Sequence, residues 1–248
     1  METSINETLA KGLATKIIRE FHTHKIEPLG IDHFPRRKKI REAIKFFKKD
    51  PTHLVVSENR SETSKWELLY GGWAPISRAT LSIDKNDENM EYDKLGFDMD
   101  LDLPSGIYRR CIFFSLSKHG LERLILRKKP TIKHYVNASR YLNTIVVPII
   151  QQCLAFISDS DRKSNQLVAH ADGFVFLIEL SIGVNRHMQP SMSFHTITVM
   201  PDSYDGAVKL IEENPRYGLK PIKNYSSFIN NFVVGDVGRK LLIDGVMK

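Results

Sequence analysis

The sequence predicts an α+β fold, with helices packed against an antiparallel sheet and a basic, mainly helical N-terminal part. Three observations predict it. Near the N-terminus, Leu9, Leu13, Ile17 and Phe21 recur at a helical spacing, with Lys11, Lys16 and Glu20 turned away. In the second half, Asp172-Gly173 stands between the apolar runs Leu167–Ala171 and Phe174–Leu180. Asp-Gly in that setting signals a hairpin, because a two-residue turn of this kind needs positive φ at both central residues. Between these regions, Lys118 to Lys129 reads as a helix, with Ser117 as its N-cap and Pro130 as its stop.

Composition narrows the class. The chain has 248 residues, 42% hydrophobic and 26% charged. These are ordinary globular proportions and exclude collagen, coiled coil and wholesale disorder. The longest apolar stretch, Thr144 to Ile157, is interrupted by Pro148, Gln151 and Gln152, so no membrane span is expected. Cys111 and Cys153 each sit in an apolar context and are expected to be buried, reduced thiols. Two cysteines make no disulfide framework, and no closely spaced pair is present to hold zinc. Residues Met1 to Glu7 carry acids and no apolar region, which points away from a secretory signal and toward the cytoplasm.

The elements follow in order. The first helix is expected over Thr8 to His24, with Pro28 and Gly30 marking a loop. A second helix, opened by Pro35, runs from Arg36 to Lys49 and ends at Asp50-Pro51. Strands are expected at Leu54–Val56, at Trp66–Tyr70 up to Gly71-Gly72, and at Arg78–Ile83. From Asp84 to Asp102, eight acids oppose only Lys85 and Lys94, which reads as an acidic loop or linker over 84–105. It would divide a basic region, 1–83, from an α+β domain, 106–248. In the latter, a strand is expected at Ile107–Leu116 and a mostly helical stretch at Thr131–Ile157, kinked or divided at Pro148. The hairpin, a strand at Ser193–Met200 and a helix at Tyr204–Glu213 follow. The tail from Tyr225 to Ile243 has no clear pattern.

The chemistry-bearing motif lies at the start of the capped helix. His119, Arg123 and Arg127 fall at i, i+4 and i+8, on one helix face within about 12 Å. Imidazole exchanges protons near neutral pH, and guanidinium holds phosphate oxygens through a planar fork. Together they suit work on a phosphodiester, with no metal required. A second acid or base would have to come from elsewhere, and His195 is the candidate ahead of His170.

The Ser117-x-His119-x-x-x-Arg123-x-x-x-Arg127 pattern, then a helix, the Asp172-Gly173 hairpin and a strand with His195, Thr196 and Thr198, resembles toxin-type ribonucleases. The superfamily is the one of barnase, EndoU, colicin E5 and RelE, especially its members with an H-x-x-x-R-x-x-x-R helix. The resemblance covers roughly Ile107 to Met200. Gly120 departs from it, since those helices commonly carry alanine there. It implies metal-independent RNA cleavage, a toxin or mobile-element setting, and an antitoxin as a protein partner.

The charge balance points the same way. The net charge of +7 favours polyanionic partners. In Arg36 to Lys49, eight basic side chains face one acid, so Arg36, Arg37, Lys38, Lys39, Arg41 and Lys45 are candidate nucleic-acid contacts. RNA is expected over DNA. Three readings stand: a ribonuclease-like enzyme, a non-catalytic nucleic-acid-binding accessory protein, and a protein-interaction module whose acidic loop folds over its basic face. No phosphate-binding or dinucleotide glycine motif occurs, and no cofactor is expected. His170 with Asp172, and His22, His24 and His33, are histidine and acid groupings at which no metal is expected.

Overall fold

The computed structural model describes residues 6–24, 41–42, 45, 49–60, 66–77, 92–103, 106–128, 132–157, 159, 164–184, 190–214 and 217. Besides helical residues between 41 and 49, these residues form four helices and one seven-stranded mixed sheet, an α+β architecture.

Helix α1 (Glu7–Thr23) starts at Asn6, whose side chain accepts a hydrogen bond from the Leu9 N–H at 2.9 Å. Its buried face is Ala10, Ala14, Ile17, Ile18 and Phe21, whereas Leu9 is 47% exposed. The expected stripe is therefore rotated by one residue at its start, because two fully buried alanines let the helix approach its neighbours closely. Arg41, Glu42, Lys45 and Lys49 are helical, while Arg36, Arg37, Lys38 and Lys39 lie outside the described residues.

Strands β1 (His53–Arg60), β2 (Trp66–Ser77), β3 (Tyr92–Leu103) and β4 (Gly106–Ser117) form an antiparallel meander. Two expectations change here. Gly71-Gly72 does not end β2; both glycines pair on either side of the strand. A side chain at Gly71 would collide with the Asp98 carbonyl on β3, and one at Gly72 would meet the His53 ring at 2.8 Å. The glycines mark close approach within the sheet. Likewise, residues 92–102 are no acidic loop or linker but most of an interior strand, paired to β2 and to β4. Leu95, Phe97 and Met99 are buried on one face, and Asp98 lies on the other, away from the core. The expected strand at Arg78–Ile83 and the acidic residues 84–91 lie outside the described residues.

Helix α2 (Lys118–Lys128) follows β4 directly. The Ser117 hydroxyl accepts from the Gly120 N–H at 3.0 Å, the cap that its sequence predicts. Helix α3 (Tyr135–Ile157) is continuous through Pro148, which does not divide it. By length and composition it is apolar enough to cross a membrane, so the interruptions at Pro148, Gln151 and Gln152 do not by themselves exclude a span. Here it is a core helix, with twelve residues buried, Cys153 among them.

The predicted hairpin forms as β5 (Gln166–Ala171) and β6 (Phe174–Val184). Its turn has φ of 52° at Asp172 and 75° at Gly173. Strand β7 (Pro190–Pro201) pairs antiparallel with β6 and parallel with β4. The sheet order is β1-β2-β3-β4-β7-β6-β5. Five of its pairings are antiparallel and the β4–β7 junction is the parallel exception. Helix α4 (Asp205–Glu213) closes the described part, apart from Tyr217. The tail Tyr225–Ile243 lies outside it.

Two apolar layers result. Helices α1, α2 and α3 pack on one face of the sheet, against Trp73, Phe97, Phe114, Phe176 and Phe194. On the opposite face, Ala207, Leu210 and Ile211 of α4 cover Val168, Val175, Leu177 and Met200.

Candidate functional site

The face of α2 that the sequence singles out meets α1. The two helices enclose a cleft of about 270 Å³. Helix α1 contributes Glu7, Thr8 and Lys11; α2 contributes His119, Glu122, Arg123 and Leu126. The buried side of α2, with Leu121, Leu124 and Ile125, anchors it on the sheet. That leaves the polar side of its first two turns facing α1.

Within the cleft, Glu122 Oε2 lies 3.3 Å from His119 Nδ1, and Arg123 Nε donates to His119 Nε2 at 3.3 Å. A proton on Nδ1, held by Glu122, leaves Nε2 as the acceptor for the guanidinium. The His119 side chain is 56% exposed and that of Glu122 18%, so the carboxylate is the fixed member and the imidazole the accessible one. Arg127 is exposed on the same helix but does not line the cleft.

His195 does not join this site, which corrects the expected pairing with His119. On β7 it alternates with Phe194, which is buried beneath the helices with Phe114 and Leu116. His195 therefore lies on the opposite face of the sheet from α2. There its Nδ1 is 2.9 Å from the Ser115 hydroxyl, and its ring stands edge-on to Phe113. Burial pushes its pKa down, Lys94 adds to this, and Glu179 opposes it. His170 has no place in the cleft either; it is on β5, at the sheet edge.

Of the basic candidates, Arg41 and Lys45 are exposed and helical, and Lys45 Nζ pairs with Glu42 at 3.0 Å. The others lie outside the described residues.

Sequence reasoning missed the residues of α1. Glu7, Thr8 and Lys11 carry no motif, and only the packing of α1 on α2, more than a hundred residues apart, brings them to His119.

A second polar cluster joins α1, the start of β1 and the start of α3. Asp50 Oδ2 meets His24 Nε2 at 3.1 Å and His53 Nδ1 at 3.5 Å. Tyr135 Oη lies 3.3 Å from His24 Nδ1, and Glu20 accepts from the Tyr135 N–H at 2.9 Å, capping α3. Burial raises the Asp50 pKa, but hydrogen bonds from Thr52 and His24 outweigh it and hold the carboxyl low. Burial pushes His53 down against the pull of Asp50. Among the described residues, no group of three or more His, Cys, Asp or Glu is placed to hold a metal.

Comparison with family models, with curated proteins and with solved structures found no match to this chain.

Proposed function

We propose that this protein binds RNA through phosphate contacts at the cleft between α1 and α2, as a cytoplasmic nucleic-acid-binding protein. One observation carries the reading: Lys11, His119 and Arg123, from two helices remote in sequence, line one open cleft. Lysine and arginine are the usual phosphate ligands, and the net charge of +7 gives the whole molecule an attractive field for a polyanion.

The test is binding of labelled single-stranded RNA, followed by anisotropy at about 50 and about 200 mM salt. Affinity is expected to fall steeply with salt through counterion release. Arg123→Ala and Lys11→Ala should each weaken binding and flatten the logarithmic salt slope by about 0.7, the contribution of one single-strand phosphate contact. No binding at the lower salt, or binding that ignores salt, overturns the reading.

The Glu122–His119 pair favours a second reading, metal-independent cleavage of RNA in the manner of the toxin-type ribonucleases. A carboxylate on Nδ1 orients the imidazole, and Nε2, once Arg123 turns from it to the phosphate, is a base that can take the proton of a ribose 2′-hydroxyl. Arg123 would offset charge on the phosphate. The proton for the leaving oxygen has no contribution from His195, so a single histidine would serve both steps. Cleavage of RNA in EDTA by the wild type and not by His119→Ala is the expected result of this reading. Intact RNA with both proteins rejects it and leaves binding in place.

A further inference from the structure

We infer that the cleft is built for one ribonucleotide unit and reads its ribose, so that it selects RNA over DNA; this rests on the phosphate-binding reading above. The cleft holds more than cations. Glu7 and Glu122 stand in the same 270 Å³ space as Lys11, His119 and Arg123, with the Thr8 hydroxyl beside them. A site for bare phosphate gains nothing from two carboxylates, which repel it. A carboxylate accepts hydrogen bonds only, and the donors that a nucleotide offers next to its phosphate are the ribose hydroxyls. The 2′-hydroxyl is the group that distinguishes RNA from DNA.

The arrangement divides the labour. Arg123 and Lys11 line the cleft from α2 and α1 and take the phosphate. Glu122 uses Oε2 on His119 Nδ1, which leaves Oε1 as an acceptor. Glu7 opens α1 one turn before Lys11 and supplies the second carboxylate of the cleft. Leu126, one turn beyond Glu122, gives an apolar surface for a base. The volume lies just below the range of about 300–1,000 Å³ usual for ligand clefts, which is room for one nucleotide and not for several.

The experiment compares three oligonucleotides of one sequence, as RNA, as DNA and as 2′-O-methyl RNA, against the full chain and its variants at fixed low salt. RNA is expected to bind at least about fivefold tighter than the other two. Glu7→Ala and Glu122→Ala should erase that preference while DNA affinity stays equal or rises, because repulsion of phosphate is removed. Arg123→Ala should weaken RNA and DNA by the same factor. Circular dichroism and melting of each variant establish that it folds; Glu7 is exposed at a helix start, so its variant remains informative if Glu122→Ala does not fold. Equal affinity for RNA and DNA overturns this inference and leaves the phosphate reading standing. Binding of none of the three overturns both.

Discussion

Gly120 illustrates how much a single residue position decides. It sits in the first turn of α2, where the helix lands on the sheet. A Cβ there would come within 2.8 Å of Leu116 Cδ1 and 3.2 Å of Val199 Cγ2. Alanine has the better helix propensity by about 1 kcal/mol, so propensity alone favours the substitution. Crowding opposes it, because Leu116 and Val199 are buried at 1% exposure and have little room to move. Overpacking in such a place costs about 1–3 kcal/mol, so Gly120→Ala is expected to destabilise the protein by a net 0–2 kcal/mol, read from urea midpoints. A clear gain in stability would show that the contact relaxes freely. The crowding comes from Leu116, just before the helix, and from Val199, nearly eighty residues away, and no local pattern encodes the second. The site residues divide in the same way. The 119–123 pairing was legible because it lies within one helix. The roles of Lys11 and Glu7 were not, since they depend on which helices pack together.

At the scale of elements, local chemistry was legible and long-range pairing was not. The β5–β6 hairpin follows from its turn residues alone. Strand β3 shows the opposite case. Leu95, Phe97, Met99 and Leu101 alternate with Gly96, Asp98, Asp100 and Asp102, a period of two that its acidic composition masks. The separation of His119 from His195 depends on the parity of β7 against β4, which follows from a parallel junction between strands eighty residues apart. Strand β5 raises a further point, because it is an edge strand and its outward groups need partners. Gln152 of α3 supplies those of His170: its Nε2 donates to the His170 carbonyl at 2.7 Å, and its Oε1 accepts from the His170 N–H at 2.8 Å. The side-chain amide thus takes the place of a neighbouring strand. Gln152→Leu keeps the volume and removes both bonds, at an expected cost of about 2–4 kcal/mol. Hydrogen exchange at the His170 amide should rise in the variant more than at β6 amides. An unchanged exchange rate there would mean that the amide does not protect the edge.

The whole molecule places two histidines largely withdrawn from solvent, His53 and His195, at separate points of one sheet, and both have pKa values lowered first of all by burial. A lowered value means that the unfolded chain binds a proton more readily than the fold does. Stability from each group is therefore complete above the unfolded value of about 6.5 and declines as pH falls below it. Asp50 and Asp172 also have lowered values. Asp50 is held down by the Thr52 and His24 hydrogen bonds that outweigh its burial, and Asp172 mainly by Lys128, 2.8 Å away. Their contributions persist below pH 5 and are lost only as pH drops below about 4. Acid unfolding should thus proceed in two windows, with the histidines setting the first. Urea midpoints are expected to hold steady from pH 8 to about 6.5 and then to fall. His53→Gln and His195→Gln should each flatten the fall between about 6.5 and 5, and nearly additively, since they stand on separate strands, β1 at the sheet edge and β7 in its interior. His53 ties Asp50 to the sheet edge and His195 bonds Ser115, so both variants lower the plateau as well; the slope is the discriminating quantity. A slope unchanged in both would mean that neither imidazole is kept neutral by the fold, and that acid sensitivity above pH 5 arises in other groups.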